Sequence, residues 1–269
     1  MQGERRLVQP QPPRDSEGEP TTQYRWNWSA PLLISPHNAG TVYFGAQFLF
    51  RSTDRGDSWE VVSPDLTREL EYGPENLISP YGTIRIIAES PLQQGALAVG
   101  TDDGLIQLSR DAGESWTEIG SFPGVPELSQ VVRLTLSAHD PEKIYAAFSG
   151  HEYNDFSPYL LVSRDFGASW TAISDGIPND EPIRAFAEDP VASNLLFIGT
   201  EFGVYGSLDA GGSWFSLQNN LPTVPIHDMV IQQQQHDLVL GTHGRGFWIL
   251  DQIDVLRELS AGIDRNSPH

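Results

Sequence analysis

The sequence predicts an all-β protein, a β-propeller of about five four-stranded blades. Three observations lead to this prediction. One octapeptide occurs four times along the chain, and short apolar runs recur at even spacing between its copies. The repeated region also covers roughly 225 residues, a usual size for a single all-β domain.

The octapeptide has the pattern Ser-x-Asp-x-Gly-x-Ser-Trp. An Asp followed by Gly two residues later is typical of an Asx-type turn, because the carboxylate accepts backbone N–H bonds and Gly adopts a positive φ at little cost. Each Trp begins the next strand and is expected to fill the wedge between neighbouring sheets, so we interpret these residues as structural rather than catalytic. The structural positions are Asp54, Gly56, Trp59, Asp111, Gly113, Trp116, Asp165, Gly167, Trp170, Asp209, Gly211 and Trp214.

Apolar runs of about four to six residues divide the chain into blades, and four such runs fit one radial sheet. The predicted blades lie near 30–67, 83–120, 131–175, 183–219 and 225–251. The fifth has three runs and no octapeptide, which leaves an edge that must be covered. Either residues 6–9 or residues 24–28 are expected to pair with it and close a five-bladed ring. The alternative is half of a ten-bladed ring, or a piece of a larger one, completed by a second copy or by further sequence.

The two ends differ in composition from the repeats. Residues 1–22 carry four prolines among polar residues and are interpreted as an arm or linker. The propeller domain is expected to cover 23–253. Residues 254–259 have the length for one or two turns of helix, and 254–269 are interpreted as a short helix and tail.

The octapeptide resembles the Asp-box, or BNR, repeat of sialidases, some glycoside hydrolases and the sortilin-type propeller. Other segments resemble large bacterial propeller proteins of the sortilin-like and "glycosyl hydrolase BNR repeat" type, including the closing Thr-His-Gly-Arg-Gly-Phe-Trp at 242–248. The similarity covers about 23–253 and is carried by 24–28, 35–38, 49–56, 63–67 and 241–251. It departs from those families in lacking the sortilin cysteine module and a Phe-Arg-Ile-Pro motif. Because such proteins are usually longer, the chain is similar to the C-terminal half of one.

Composition excludes several partners. The formal net charge is −20, with one lysine, Lys143, and fifteen arginines. Such a surface repels nucleic acid and anionic lipid, so no nucleic-acid binding is predicted. Without cysteine there is no disulfide framework. No membrane insertion is predicted, and residues 1–14 lack the apolar core of a signal peptide. The resemblance nonetheless implies an extracytoplasmic, periplasmic or secreted, location, which fits a fragment or mature domain.

Three arginines begin the first strand of successive blades. Counting back fifteen residues from Gly100, Phe148 and Gly199 gives Arg85, Arg133 and Arg184. His227 falls one residue off this register in the fifth unit. Other polar residues expected at the same pole are Asp102, Asp103, His151, Glu152, Tyr153, Asp155, Glu201, His243 and Arg245.

Two interpretations of this group remain open. The arginines form a site for an anion or carboxylate, since guanidinium groups match carboxylates well, or they form a belt of ion pairs that fixes blade against blade. The belt is favoured because acidic residues outnumber these arginines. The binding candidates are Arg85, Arg133, Arg184, His227, His151, Tyr153, His243 and Arg245, with the loop 150–158 as the expected contact segment. His227 and His243 could approach one another, but two histidines do not predict a metal site, and no cofactor is predicted.

These observations favour a non-catalytic propeller that binds a protein, peptide or glycan at its top face. The alternative is a glycoside hydrolase of sialidase-like or glucanase-like type, which needs two carboxylates across a groove. The weak catalytic candidates are Asp103, Glu152, Asp155 and Glu201.

Overall fold

A computed structural model describes residues 8–70, 73 and 81–262 of the chain. Within these residues the protein is almost entirely antiparallel β-structure, with nineteen strands, one 3-10 turn and one α-helix. The strands form four four-stranded sheets and one three-stranded sheet, and in every sheet neighbouring strands follow chain order. The predicted all-β class and its four-stranded blades are therefore confirmed.

The strands of each sheet come from one continuous stretch of the chain. Sheet 1 contains β1 (Leu32–Ile34), β2 (Val42–Gly45), β3 (Leu49–Ser52) and β4 (Glu60–Val61), and sheet 2 contains β5 (Ile84–Glu89), β6 (Leu97–Thr101), β7 (Ile106–Ser109) and β8 (Thr117–Ile119). Sheet 3 contains β9 (Gln130–Leu136), β10 (Ile144–Gly150), β11 (Asp155–Ser163) and β12 (Thr171–Ala172). Sheet 4 contains β13 (Ile183–Glu188), β14 (Leu196–Thr200), β15 (Val204–Ser207) and β16 (Phe215–Ser216), and sheet 5 contains β17 (Ile226–Gln232), β18 (Asp237–Thr242) and β19 (Phe247–Leu250).

The chain divides into two compact units. Unit 1 is Met1–Gly120 and carries sheets 1 and 2, and unit 2 is Ser121–His269 and carries sheets 3, 4 and 5. In both units the inner strands are buried on both faces, as in β6 and β14, where every residue is buried. Burial on both faces explains why these strands are continuous apolar runs rather than alternating ones.

The cores lie between successive sheets. In unit 1 the core includes Tyr43, Leu49, Ile84, Leu97 and Val99 from sheets 1 and 2. In unit 2 one core joins sheets 3 and 4, with Tyr145, Leu160, Phe186, Leu196 and Ile198, and another joins sheets 4 and 5, with Phe197, Val204, Met229, Leu238 and Ile253. The wedge between sheets is thus filled by side chains from both of its neighbours.

The octapeptides connect the third and fourth strands of sheets 1 to 4 through one hydrogen-bond pattern. In the first copy, the Asp54 carboxylate accepts bonds from the Ser52 hydroxyl (2.7 Å), the Ser58 amide (2.8 Å) and the Ser58 hydroxyl (2.6 Å). Ser52 Oγ accepts the amide of Gly56 at 2.7 Å. Gly56 has φ of 91°, as expected, but the preceding Arg55 is also left-handed, with φ of 63°. The other three copies repeat this pattern.

The four octapeptide tryptophans are less buried than a core residue would be, with one exception. Trp170 is 9% exposed, whereas Trp59, Trp116 and Trp214 are half-buried. Trp116 Nε1 donates to the carbonyl oxygen of Val62 (3.3 Å), and Trp214 Nε1 donates to that of Ile173 (2.7 Å). Each of these carbonyls follows the last strand of the preceding sheet, so the indole ties one sheet to the one before it.

The N-terminal segment takes a similar place beside the first octapeptide. Trp59 Nε1 donates to the carbonyl oxygen of Val8 at 2.7 Å. The Val8 carbonyl oxygen therefore accepts the indole N–H of Trp59 just as the Val62 carbonyl oxygen accepts that of Trp116. One prediction was that residues 6–9 pair with the fifth sheet. Residues 6 and 7 of this segment lie outside the described residues.

The other alternative, residues 24–28 as a strand of the fifth sheet, is wrong. These residues form no strand, and Trp26 stacks on Phe50 of β3 with ring centroids 5.5 Å apart. Gln47 fixes the backbone by accepting the Arg25 amide (2.7 Å) and donating to the Gln23 carbonyl (2.7 Å). Burial of the aromatic rings on sheet 1 outweighs strand pairing for this segment.

The chain after β19 turns into helix α1 (Asp254–Ser260). Arg257, on this helix, forms a buried ion pair with Asp189, where Nε lies 2.9 Å from Oδ2. Asp189 also accepts the amides of Val191 and Ala192. No helix in the described residues has the length and apolarity needed to cross a membrane.

We expect Trp170→Ala to lower the free energy of unfolding by about 3–5 kcal/mol, because it removes a ring packed in the core of unit 2. Denaturant titration followed by circular dichroism measures this. Trp28→Ala is the matched control, since Trp28 is 85% exposed and its loss should change stability by less than about 0.5 kcal/mol. Equal losses for both variants would contradict the packing role.

We expect the octapeptide carboxylates to stabilise the fold above pH 4 and to lose this effect in acid. Hydrogen bonds from the following serine lower the pKa of Asp54 and Asp111 to about 2. Because the folded-state pKa lies below the unfolded value of about 3.9, stability falls as pH drops from about 4 to 2. The double variant D54N/D111N should flatten the dependence of the unfolding midpoint on pH, whereas Glu114→Gln should leave it as steep as in the parent chain.

Candidate functional site

β-bulges near the start of the first strands of sheets 2 to 5 position the predicted polar residues. The extra residue is Arg85 in β5, Val132 in β9, Arg184 in β13 and His227 in β17. A bulge re-aims the side chain of the extra residue and often lies beside a functional site.

The bulges correct the register that the sequence predicts. Counting fifteen residues makes Arg133 equivalent to Arg184 and puts His227 one residue off. In the structure His227 occupies the same bulged position as Arg184, whereas Arg133 follows the bulged Val132. Bulges move a strand by one residue, which a constant count along the sequence does not register.

Unit 2 brings five of the predicted residues together, and we call Arg133, Arg184, Glu201, His227 and His243 the Arg-His cluster. Arg184 Nε forms an ion pair with Glu201 Oε2, and the rings of His227 and His243 lie 5.0 Å apart with planes at 31°. Arg133 donates to the carbonyl oxygen of His227. The expectation that the two histidines approach one another is therefore met.

One acidic residue that the sequence did not single out belongs beside this cluster. Asp228, next to His227, accepts a bond from Arg133 at 3.1 Å. Arg133 thus links the first strand of sheet 3 to the first strand of sheet 5. Arg184 and Glu201 instead pair within sheet 4. Each arginine of the cluster therefore has a carboxylate partner, which weakens the alternative of a site for a free anion.

The electrostatics of the cluster keep His227 neutral over a wider range of pH. Loss of solvent around the ring is the largest cause of its lowered pKa, followed by the positive charge of Arg184 and the neighbouring His243, while Glu201 opposes the shift. Both ring nitrogens of a neutral imidazole can then act, one as donor and one as acceptor. With Asp228 beside it, the cluster has two carboxylates paired with its two guanidinium groups.

The loop 150–158, predicted as the contact segment, is shorter than expected. β10 runs to Gly150, a 3-10 turn covers His151–Tyr153, and β11 begins at Asp155, which pairs with Gly150. Asn154 closes the turn with φ of 65°. The strands continue because backbone pairing extends past Phe148, so only a tight turn remains.

The side chains of this turn are at the surface. Glu152 is exposed, and Tyr153 is 46% exposed. The His151 ring lies 5.2 Å from that of Phe156 with the planes at 81°. The turn therefore offers a small aromatic surface beside one carboxylate.

The other catalytic candidates of unit 2 are held by fixed partners. Asp155 accepts the Tyr159 hydroxyl (2.6 Å) and the Ser157 amide (3.0 Å). Partial burial acts to raise the pKa of Asp155, but these bonds outweigh it and the pKa is lowered. Glu201 is engaged by Arg184. Within the described residues, Glu152, Asp155 and Glu201 share no hydrogen-bond partner.

In unit 1 the candidate Asp103 is buried in the structure. It accepts the Arg68 amide (2.8 Å) and the Thr101 hydroxyl (2.5 Å), and burial raises its pKa. Its neighbour Asp102 accepts the amide (2.7 Å) and hydroxyl (2.6 Å) of Thr83, and burial raises the pKa of Asp102 to about 6. Both carboxylates fasten chain segments that would otherwise leave backbone donors unpaired.

Of the two remaining binding candidates, Arg85 is half-buried on β5 and Arg245 lies on an exposed turn. Arg85 donates to Asn27 Oδ1 at 3.1 Å. Arg245 is exposed on the turn between β18 and β19, which the Thr242 hydroxyl closes by donating to the Gly246 carbonyl at 2.7 Å. Among the described residues no group of three or more His, Asp or Glu could hold a metal ion.

Comparison with solved structures identifies the fold. Similar structures include a GH74 enzyme from Niastella koreensis, with a TM-score of 0.63 and 16% identity over 87% of this chain and 37% of that chain. A GH74 xyloglucanase from Xanthomonas campestris matches with a TM-score of 0.63 and 19% identity over 82% and 36%. The extracellular domain of the BT4673 one-component system from B. thetaiotaomicron matches at 0.54 and 15% over 79% and 26%.

These similarities show the fold alone, which is the β-propeller. The chain spans little more than a third of the length of the two GH74 chains. No protein-family model matches the sequence, and no curated protein matches it in sequence.

The geometry of the Arg-His cluster makes a prediction about His227. Replacing Arg184 by Met removes a positive charge and should raise the pKa of the His227 ring, whereas Glu201→Gln removes a negative charge and should lower it further. NMR titration of the imidazole signals measures both shifts. Glu258→Gln, on helix α1, makes the same chemical change elsewhere, and a shift as large as that of Glu201→Gln would contradict the arrangement.

Proposed function

We propose that the protein is a non-catalytic carbohydrate-binding propeller, with the Arg-His cluster as its site in unit 2. The observation that carries this proposal is the Arg184–Glu201 pair beside the two imidazoles of His227 and His243. A sugar hydroxyl both donates and accepts hydrogen bonds. Carboxylate, guanidinium and imidazole groups side by side supply both kinds of partner.

The charge balance of the cluster favours a neutral sugar over an acidic one. Arg184 is paired with Glu201 and Arg133 with Asp228, so two carboxylates offset two guanidinium charges. The high negative charge of the whole chain also opposes an anionic ligand. An oligosaccharide of neutral sugars is the ligand class that fits both facts, ahead of a protein or peptide.

Among the four candidate carboxylates, all in the described residues, there is no free pair, which supports binding without hydrolysis. Glycosidases need two carboxyl groups on opposite sides of the scissile bond. Asp103 is buried, and Asp155 and Glu201 are held by hydrogen bonds or an ion pair. Glu152 is left as a single exposed carboxylate, and it has no second free carboxylate among the other three candidates.

We also propose a family for the repeats and for the chain. We assign the octapeptides to the Asp-box, BNR type and the chain to bacterial sortilin-like propellers, with 23–253 as the repeat domain of a longer protein. An extracytoplasmic location fits the similarity to an extracellular domain. The proposed partner that completes the ring is either the rest of a larger propeller or a second copy of this chain.

Glycoside hydrolysis is the second candidate, because two of the similar structures are GH74 enzymes and one is a xyloglucanase. It would use Glu152 and Glu201 as its two carboxyl groups, after movement of the turn His151–Tyr153. This alternative and the binding proposal differ in a direct measurement.

We expect no release of reducing sugar from xyloglucan or β-glucans and no turnover of chromogenic sialosides. We also expect calorimetric binding of xyloglucan oligosaccharides, weakened about tenfold or more by Glu201→Gln or His243→Ala. Glu258→Gln should bind as the parent chain does. Turnover that disappears in Glu152→Gln or Glu201→Gln would establish the hydrolase instead, and equal binding by all variants would overturn the assignment of the cluster.

A further inference from the structure

Trp28, in unit 1, differs from every other tryptophan in the protein. The chain has seven, and the other six are buried or half-buried, whereas Trp28 is 85% exposed. An indole ring carries roughly 150–250 Å² of surface that is mainly apolar. Burial of the exposed part of this surface against a ligand would be favourable.

The turn that carries Trp28 is fixed rather than loose. Asn27 Oδ1 accepts the Ser29 amide at 3.0 Å and Arg85 NH1 at 3.1 Å, and Asn27 Nδ2 donates to the Thr83 hydroxyl at 3.0 Å. Thr83 is fixed in turn by the buried carboxylate of Asp102. The ring is thus presented on a pre-organised turn, which lowers the entropy lost on binding.

The surroundings of the ring indicate what binds there. Asn27 and Ser29 are the residues on either side of Trp28, and Arg85 is bonded to Asn27, so an amide, a hydroxyl and a guanidinium belong to the turn that carries the exposed indole. A pyranose ring has one face of C–H groups and an edge of hydroxyls, so it matches this combination. An apolar peptide or a lipid surface would require further apolar side chains on the same turn.

The local charge also favours a neutral ligand. Arg85 lies near enough to Asp102 for an attractive electrostatic interaction. The charge of the guanidinium is therefore partly balanced by the Asp102 carboxylate. A neutral sugar can accept hydrogen bonds from the Arg85 guanidinium and does not need its positive charge.

We propose that Trp28, with Arg85 and Asn27, forms a sugar-stacking subsite in unit 1, separate from the Arg-His cluster of unit 2. The ligand is a pyranose ring of a neutral oligosaccharide. This inference shares the carbohydrate class with the proposed function but depends on different residues.

The test combines acrylamide quenching of tryptophan fluorescence with calorimetry, using cello-oligosaccharides and xyloglucan oligosaccharides as probes. In the parent chain, a saturating oligosaccharide should protect the most accessible tryptophan from quenching. Trp28→Ala should abolish the protected signal and weaken binding about 30-fold, and Trp28→Phe should weaken it less because a smaller ring remains. Thermal unfolding checks that both variants keep the parent midpoint.

The outcomes separate this subsite from the cluster. Protection of Trp28 that persists in His243→Ala supports the subsite, even where the cluster contributes nothing. Binding that His243→Ala weakens and Trp28→Ala leaves unchanged overturns the subsite and leaves the proposed function standing. No protection by either class of oligosaccharide also overturns it.

Discussion

The carboxylate of the octapeptide aspartate is the group on which the rest of the architecture depends. It accepts bonds from the serine before it and from both the amide and the hydroxyl of the serine after it. These bonds hold two successive left-handed residues, of which only the second is Gly. The turn then delivers the Trp to the start of the fourth strand, where the indole reaches the preceding sheet, as Trp214 does with Ile173.

The fifth sheet has no octapeptide and is anchored differently. Ile253 is buried in the core between sheets 4 and 5, and Arg257 on helix α1 pairs with the fully buried Asp189. A buried ion pair is costly to break from one side, because it leaves an uncompensated charge. Since Asp189 also accepts the amides of the turn before β14, this pair joins the end of the described chain to sheet 4.

In the candidate site, β-bulges place different polar side chains at equivalent positions of the repeated sheets. Equivalent bulges carry Arg184 and His227, so two different functional groups emerge from one structural position. Arg133 follows the bulged Val132 in β9, and its guanidinium donates to the backbone carbonyl oxygen of His227. Arg184 is paired with Glu201 and Arg133 with Asp228, so hydrogen-bond donors and acceptors lie side by side in the cluster.

The sequence by itself determined the repeated turn, the all-β class and the four-stranded sheets. Those properties depend on local hydrogen bonds and apolar patterns within a few residues. It also indicated Arg184, His227, His243 and Glu201 as neighbours. Only the tertiary structure decided the true register at His227, the pairing of Arg133 with Asp228, the burial of Asp103 and the exposure of Trp28. Each of these depends on a one-residue bulge or on contacts between segments far apart in the chain, which no local pattern encodes.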